Sequence, residues 1–445
     1  MMDPGTSRAQ DRADAGFEPE LSRAQTTGRY VITFAEEGAD GDPAALLQSV
    51  AGLSQIASSR DFDAQAMDMA QTEGADATVF SELAMAVVSV DPDQLGALQT
   101  STDAQRAVVA VAPELIHHIM PGSAGSSPDY VRGYRDGVGD LSGRFLGSTG
   151  AVAAAAPTIP AHFEDDDRAT WGLHATQVLS SARSGQGVKV AVLDTGMDST
   201  HPDFVGRSVT VQSFIAGESA QDGHGHGTHC IGTSCGPKTP EGTRRYGIAY
   251  EAEIFAGKVL SNAGSGADAG ILAGINWAVA NDCAIISMSL GADVPQPHPP
   301  YTHAGRRALR RGTLIIAAAG NNANRPADPG FVGAPANSHS IVAVGAVDSD
   351  LDIAPFSARS LPGRGGQVDI AGPGVAVFSS WPMPMKNRTI SGTSMATPHV
   401  AGIAALWSEA TGYRGLQLWA TLARESERLL LPSVDVGSGL ALAAP

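Results

Sequence analysis

The sequence predicts an α/β protein in which a large three-layer domain, built on a parallel sheet, follows a smaller α+β unit. From about residue 170, continuous apolar strands alternate with helical patterns, which is typical of a parallel sheet with helices on both faces. Charge separates the smaller unit. Residues 28–120 contain 14 acidic residues against 3 basic ones, within a chain of net charge −17. Because segregated charge usually marks separate domains, we expect a boundary after this unit.

Composition excludes several classes of protein. The 445 residues are 43% hydrophobic, enough for a sizeable core. No basic patch indicates a nucleic-acid partner, and three cysteines cannot form a disulfide framework. No run approaches the roughly 18 apolar residues of a membrane span. We therefore expect no nucleic-acid or membrane partner. The chain is expected to be a monomer.

Residues 1–27 are polar and low in aromatic residues, and are predicted to form a disordered tail. The tail has no apolar segment of the kind found in signal peptides. This favours a cytoplasmic location, with export by another route as the alternative.

Residues 28–120 are predicted to follow the order βαββαβ, which is the ferredoxin-like arrangement. Asp42 and Pro43 are typical of a helix start, and apolar residues continue at helical spacing through Leu53 and Ile56. The other predicted elements are strands at 29–34, 77–90 (broken near Glu82) and 108–111, and a short helix at 92–99. Residues 119–160 begin and end in runs of Gly, Ser, Ala and Pro, which predicts a linker with a processing region over 121–165. A short helix is expected at 129–145, without an assigned role.

Three apolar strands of the large domain, residues 166–445, end in polar residues. Val188–Leu193 ends at Asp194, Ala284–Met288 ends at Ser289, and Leu314–Ala319 ends at Gly320 and Asn321. In open α/β sheets, ligands gather at the carboxyl ends of the strands. We therefore expect a functional site at this edge of the sheet.

A turn followed by a helix begins at Ser391, with the sequence Ser-Gly-Thr-Ser-Met-Ala-Thr-Pro. Pro398 is expected near the helix start, where its missing N–H is not needed. Ser394 would then lie at the helix N-terminus, where free N–H groups favour a developing oxyanion. A nucleophilic serine and a simple helix cap both fit this local pattern.

Three histidines, at positions 224, 226 and 229, lie close together in the chain. A zinc site is one alternative, but no regular metal-ligand spacing accompanies them. A general base oriented by Asp194 and facing Ser394 explains them better. The chain order is then Asp, His, Ser, one of the orders in which this triad recurs.

These motifs resemble those of the subtilisin-like serine protease (subtilase) family. Val-Ala-Val-Leu-Asp194-Thr-Gly, His226-Gly-Thr-His-Cys, Ser289-Leu-Gly, Ala-Ala-Gly320-Asn321 and Gly392-Thr-Ser394-Met-Ala-Thr-Pro occur in the family's order. The resemblance covers about residues 170–442. The His-Gly-Thr-His-Cys motif is similar to that of the proteinase K group.

The resemblance implies a role for each matched residue. Asp194 orients the imidazole, His226 takes the proton, Ser394 is the nucleophile, and Asn321 with the Ser394 N–H forms the oxyanion hole. His224 and His229 are expected to be structural. The implied substrate cradle and pocket contain Gly264, Ser265, Gly266, Ser289, Leu290, Gly291, Ala318 and Gly320.

The pocket for the side chain before the scissile bond would lie between residues 290–292 and 317–320. These small apolar walls suggest broad specificity, but the floor, within 323–336, could bring Asp328 into it. Asp203 matches a calcium ligand of many family members, although the loop 234–245 offers only Glu241 as a further carboxylate. No cofactor is expected for the chemistry, with structural calcium at Asp203 left open.

Beside such a domain, residues 28–120 resemble the inhibitor-type propeptide of the family. Its tail, Val108–Met120, would run into the cleft as a product-like strand, and a permanent accessory domain is the alternative. The predicted function is therefore a self-processing serine endopeptidase of broad specificity acting on proteins or peptides. A peptide-maturation or transpeptidase enzyme on the same triad, and an inactive binding protein, are the alternatives.

Overall fold

The computed structural model describes residues 24–35, 42–104, 107–119, 162–361 and 366–445. Its strands form two sheets and one hairpin. The strands are β1 (Thr26–Phe34), β2 (Ile56–Ser58), β3 (Ala77–Phe80), β4 (Met85–Val88), β5 (Val108–His118), β6 (Lys189–Asp194), β7 (Val209–Ser213), β8 (Glu253–Lys258), β9 (Ser265–Ala267), β10 (Ile285–Met288), β11 (Leu314–Ala318), β12 (Val342–Val347), β13 (Ile370–Pro373), β14 (Val377–Ser380) and β15 (Asn387–Ile390). The helices are α1 (Pro43–Ala51), α2 (Pro92–Ala104), α3 (Trp171–Ala175), α4 (His226–Cys235), α5 (Asp268–Ala280), α6 (Pro299–Arg310), α7 (Thr393–Thr411), α8 (Gly415–Arg424) and α9 (Ser433–Val436).

The N-terminal domain has the predicted βαββαβ order. Its strands are neighbours in the order β2-β3-β4-β1-β5, and β1 lies antiparallel between β4 and β5. The short β2 is an additional edge strand, parallel to β3. Helices α1 and α2 and one face of the sheet enclose a separate small core that includes Ile32, Leu47 and Leu98.

Several boundaries differ from the prediction. β1 begins at Thr26, within the predicted disordered tail. α1 has the expected Asp42 cap but ends at Ala51, because Gly52 adopts a left-handed conformation (φ 69°) and caps the carbonyls of the last turn. Leu53 and Ile56 therefore lie outside the helix, with Ile56 beginning β2. α2 continues to Ala104, five residues beyond the predicted end.

The predicted linker, 121–165, lies mostly outside the described residues, as does the expected helix at 129–145. Its last four residues belong to the large domain. The Phe163 N–H donates to the Ser349 carbonyl (2.8 Å), and the Asp165 carboxylate accepts the Trp171 N–H (2.8 Å). This domain therefore begins a few residues before the predicted position 166.

The large domain confirms the predicted three-layer architecture. All strands of its sheet are parallel, in the order β13-β12-β11-β10-β6-β8-β7. Alternate side chains of β6 enter opposite layers: Val190 and Val192 pack with α4 and α7, while Ala191 and Leu193 pack with α5 and α6. The central helix α7 is buried over most of its length, as expected for a helix that is apolar all round.

The two domains share a core. The face of the N-terminal sheet opposite α1 and α2 packs on α5 and α6, and Met67, Phe80 and Leu83 are fully buried against this layer. Burial of such a side chain contributes about 1.5–3 kcal/mol relative to exposure. At its edge, the buried Arg307 guanidinium of α6 donates to the main-chain carbonyls of Phe34 and Leu83, and to that of Ala84 at 3.1 Å. β5 then continues to His118, seven residues beyond its predicted end, and pairs with β9 of the large domain.

Candidate active site

Asp194 and His226 meet at the carboxyl edge of the parallel sheet. Asp194 is the last residue of β6 and His226 is the first residue of α4. The His226 Nδ1 lies 2.8 and 3.0 Å from the two carboxylate oxygens of Asp194. Both residues are almost fully buried, so this pair is shielded from water.

Asp194 has a strong electrostatic effect on the imidazole of His226. Burial alone would lower the pKa of His226, but the adjacent Asp194 carboxylate more than offsets this and holds the pKa well above its usual value. An opposite charge at hydrogen-bond distance favours the charged imidazolium. The ring is therefore poised to accept and hold a proton.

Asp222 fixes the start of α4, and with it the His226 backbone. One carboxylate oxygen accepts the His224 and Gly225 N–H groups (3.0 and 2.7 Å), and the other accepts the Thr228 N–H (2.9 Å). A side chain at Gly227 would meet the Gly196 carbonyl at 2.2 Å, so glycine lets the helix approach β6 closely. Sequence reasoning gave Asp222 no role, although its position four residues before His226 is a helix-capping signal.

Ser394 lies in the first turn of α7, buried below the same edge of the sheet. Its hydroxyl donates to the Ser289 carbonyl (3.3 Å), and no described hydrogen bond joins it to His226. A rotation of the serine side chain would therefore have to precede proton transfer to the imidazole.

Ser394 lies at the helix start as predicted, but Pro398 lies deeper in the helix than expected. It is the sixth residue of α7, well inside the helix, where its missing N–H would have bonded the carbonyl of residue 394. The freed Ser394 carbonyl instead accepts the Ser289 hydroxyl (2.8 Å) and faces the Cys230 sulfur (3.6 Å). Because of the proline, the Ser394 carbonyl is free to connect α7 to Ser289, which follows β10, and to Cys230 on α4.

Asn321 and the Ser394 N–H face the same small space. The Asn321 amide oxygen accepts the Thr393 N–H and hydroxyl, both at 2.9 Å, which turns its Nδ2 group the other way. A Cβ atom added to Gly392 would lie 3.1 Å from that Nδ2 and 3.6 Å from the Ser394 nitrogen. Because glycine keeps this space open, two N–H donors converge where an oxyanion could bind.

The neighbouring histidines differ from His226. The His229 Nε2 lies 3.1 Å from the Val377 carbonyl, and burial lowers its pKa to about 3, so it is neutral. His224 packs edge-on against His226 with ring centroids 6.3 Å apart, and burial also lowers its pKa. Among the described residues, the side chains close enough together to hold a metal ion are Asp194, His226 and Cys230. Neither His224 nor His229 belongs to this group.

The predicted cradle is filled by the end of β5. His117 pairs with Gly266 and His118 with Ser265 along β9. On the other side, His118 and Gly291 exchange two main-chain hydrogen bonds of 2.9 and 3.0 Å, and the Ile119 N–H donates to the Gly264 carbonyl (2.9 Å). Met120, the predicted end of this tail, lies outside the described residues.

Other predicted cradle residues have different surroundings. Ser289 contacts Ser394, as described above, and Leu290 is fully buried. Ala318 ends β11 and the Gly320 N–H donates to the Thr393 hydroxyl (3.2 Å). Residues 333–334 join the two predicted pocket walls, because the Gly333 N–H bonds the Ala319 carbonyl while Ala334 pairs with Ala292.

Two acidic residues have local roles. Asp328 is exposed and its carboxylate accepts the Gly330 N–H (2.9 Å), so it stabilises its own turn. Asp203 accepts the Tyr246 hydroxyl on one oxygen and the Glu241 N–H on the other (3.4 Å). Both oxygens of Asp203 therefore have protein donors, and structural calcium at this residue stays an open alternative.

Glu114 makes a contact between the two domains that the sequence did not predict. It is fully buried on β5, where its carboxylate accepts the Ala269 N–H (2.9 Å) in the first turn of α5 and pairs with Arg29 (2.7 Å). A carboxylate at a helix N-terminus is stabilised by the free N–H groups and the helix dipole. The N-terminal domain therefore caps a helix of the large domain.

In the described residues, helices lack the length and apolar character that crossing a membrane requires.

Several known proteins match a little more than half of this chain. M-protease of Shouchella clausii is 41% identical over 261 residues, which are 56% of this chain and 64% of that protein. Subtilisin DY of Bacillus licheniformis is 38% identical over 235 residues, covering 53% of this chain and 81% of that protein. Subtilisin Savinase of Lederbergia lenta is 42% identical over 240 residues, covering 53% and 82%. The model of the subtilase family matches residues 185–437. The chain therefore belongs to the subtilase family of serine endopeptidases.

Proposed function

We propose that this chain is a self-inhibited serine endopeptidase in which Asp194, His226 and Ser394 form the catalytic triad. The N-terminal domain occupies the substrate cleft until it is removed. The observation that carries this proposal is the position of the end of β5, where His118 bonds Gly291 on one side and Ile119 bonds Gly264 on the other, as a substrate strand would.

In the proposed reaction, the Ser394 oxygen attacks the peptide carbonyl while His226 takes the hydroxyl proton. Asp194 stabilises the resulting imidazolium. The oxyanion forms between the Asn321 Nδ2 and the Ser394 N–H, which are fixed before the reaction. His226 then gives its proton to the departing amine, and water repeats the sequence to release the acid product. No cofactor takes part.

The N-terminal domain supports the self-inhibited form through its interface as well as its strand. Its buried apolar face, the Arg307 contacts and the Glu114 cap hold β5 in the cleft. A substrate cannot pair with Gly291 or Gly264 while β5 does so. The small apolar residues around Ala318 and Gly320 support broad specificity at the position before the scissile bond.

A fluorophosphonate probe tests the proposal. It should label the processed chain rapidly and the intact chain slowly, and it should not label a Ser394→Ala chain. Absence of labelling in every form of the wild-type chain would overturn the catalytic role of Ser394. The mass of the peptide products separates hydrolysis, which adds one water, from the joined products of a transpeptidase.

A further inference from the structure

The side chain of His117 occupies a closed polar pocket in the large domain. His117 lies on β5 immediately before His118, the residue that pairs with Gly291, and it is fully buried. Its Nε2 lies 2.8 Å from the Asp268 carboxylate and 3.2 Å from the Tyr301 hydroxyl. The imidazole also packs edge-on against the Tyr301 ring, with centroids 5.3 Å apart.

The polar side chains of the pocket other than His117 belong to the large domain, and β5 adds the Leu115 N–H, which donates to the Asp268 carboxylate (2.7 Å). Asp268 is the first residue of α5, and its carboxylate also accepts the Tyr301 hydroxyl (2.7 Å) and lies 3.0 Å from the His298 Nε2. Burial would raise the pKa of the Asp268 carboxyl, but hydrogen bonds with His117 and His298 outweigh it and hold the pKa well below its usual range. The pocket therefore offers a buried, charged carboxylate to which an imidazole from β5 adds a further donor.

We propose that Asp268, Tyr301 and His298 form a specificity pocket that selects substrates carrying histidine one residue upstream of the residue paired with Gly291. This inference rests on the proposed function, because it treats β5 as a stand-in for substrate. With Met120 as the last residue of the product-like tail, His117 is the fourth residue from the end.

The chemistry of the pocket explains why an apolar side chain would be a poor substitute. When β5 is replaced by a substrate with leucine at this position, Asp268 loses the imidazole donor inside a closed space. Tyr301 and His298 still bond Asp268, but the buried carboxylate has one donor fewer, and sites built to hydrogen-bond a group discriminate strongly against analogues that lack it. The edge-on ring contact with Tyr301 adds a shape requirement that a planar side chain meets.

The test uses the full-length chain after it has activated itself. Fluorogenic peptides that differ only at the fourth residue before the cleavage site, with histidine, alanine or leucine, are compared by kcat/KM, and the cleavage site of each is read by product mass. We expect histidine to exceed leucine by about tenfold or more, since loss of one donor to a buried carboxylate costs at least that factor. In an Asp268→Asn chain the ratio should fall toward one.

The control is Asp282→Asn, which makes the same substitution just beyond the other end of α5. Asp282 is exposed and pairs with Arg414, so this variant should keep the wild-type ratio. Equal rates for the three peptides in the wild-type chain would overturn the pocket while leaving the endopeptidase intact. If no peptide is cleaved and no probe labels Ser394, the proposed function fails and the inference falls with it. Should Asp268→Asn fail to fold, the wild-type peptide series decides alone.

Discussion

His118 and Gly291 exchange two main-chain hydrogen bonds, of 2.9 and 3.0 Å, although one belongs to the N-terminal domain and the other to the carboxyl edge of the parallel sheet. Gly264 holds the next residue, Ile119, from the opposite side. The chain thus places its own strand where an extended peptide would add to a sheet edge.

Self-processing should depend on Ser394. We expect a Ser394→Ala chain to remain near 45.5 kDa, whereas the wild type loses about its first 120–165 residues, because a linker follows the cleft-binding strand. Intact mass of both chains, purified from a protease-deficient host, measures this. Equal trimming of the alanine chain would show that another protease does the cutting.

Arg307 should delay activation. Its guanidinium bonds main-chain carbonyls of the N-terminal domain, and burial lowers its pKa to about 10. Arg307→Met keeps much of the side-chain volume but removes these donors, so the domain should leave sooner and the lag before peptide hydrolysis should shorten. The lag is read from progress curves.

Arg306→Met is the matched control for that experiment, because Arg306 is exposed on the same helix. Its lag should equal that of the wild type. An unchanged lag in Arg307→Met, with thermal unfolding showing a folded chain, would contradict a role for this contact in holding the domain.

The sequence predicts those features whose residues lie close together in the chain, and not contacts between distant residues. An apolar run that ends in Asp194 or Asn321 carries both the strand and the site within a few residues, so these strand ends are readable. β5 pairs with β1 as far as Leu115, whereas its last three residues pair with β9, and His117 meets Asp268 across 151 residues of sequence. No local pattern contains such partners, so local pattern alone ends that strand at Val111, and only the resemblance to the family's propeptide predicts that it continues into the cleft.

Activity should rise with pH above the ordinary range of histidine. Only a neutral His226 can accept the serine proton, and Asp194 holds the His226 pKa well above 6.5, so the ring loses its proton only as pH rises through that higher pKa. kcat/KM of the activated chain should therefore climb into alkaline pH. The profile is measured on one fluorogenic peptide from about pH 5 to about pH 10.

An Asp194→Asn chain checks the cause of this profile. Without the carboxylate, burial dominates and lowers the pKa of His226, so the rising limb should move to lower pH. The plateau should also fall by about 10⁴, as for the corresponding change in other serine proteases. A rising limb that stays in place would assign it to another group.

Asn321 should contribute to rate more than to substrate binding. Asn321→Ala removes the Nδ2 donor that faces the space beside the Ser394 N–H, so we expect kcat to fall by about 10²–10³ with little change in KM, a magnitude measured for the same kind of donor in subtilisin, a member of this family. Asn322→Ala is the neighbouring control, since that amide bonds Asp293 and Phe331 instead. A purely structural role would instead lower the unfolding temperature and raise KM.

Cys230 should make the enzyme sensitive to mercury without taking part in catalysis. Its sulfur lies 3.8 Å from the His226 Nδ1 and 3.6 Å from the Ser394 carbonyl, one helical turn from His226 on α4. Burial raises the pKa of this thiol, which makes it a poor nucleophile but leaves it able to bind a soft metal. Mercury bound to the sulfur would push the imidazole away from Asp194.

We therefore expect mercurials to abolish most activity of the wild-type chain, while Cys230→Ala keeps most activity and resists them. Cys235→Ala, a buried cysteine on the same helix, should remain as sensitive as the wild type. Inhibition of Cys230→Ala at the same mercury concentration as the wild type would refute the proposal, because the metal would then be acting at another site.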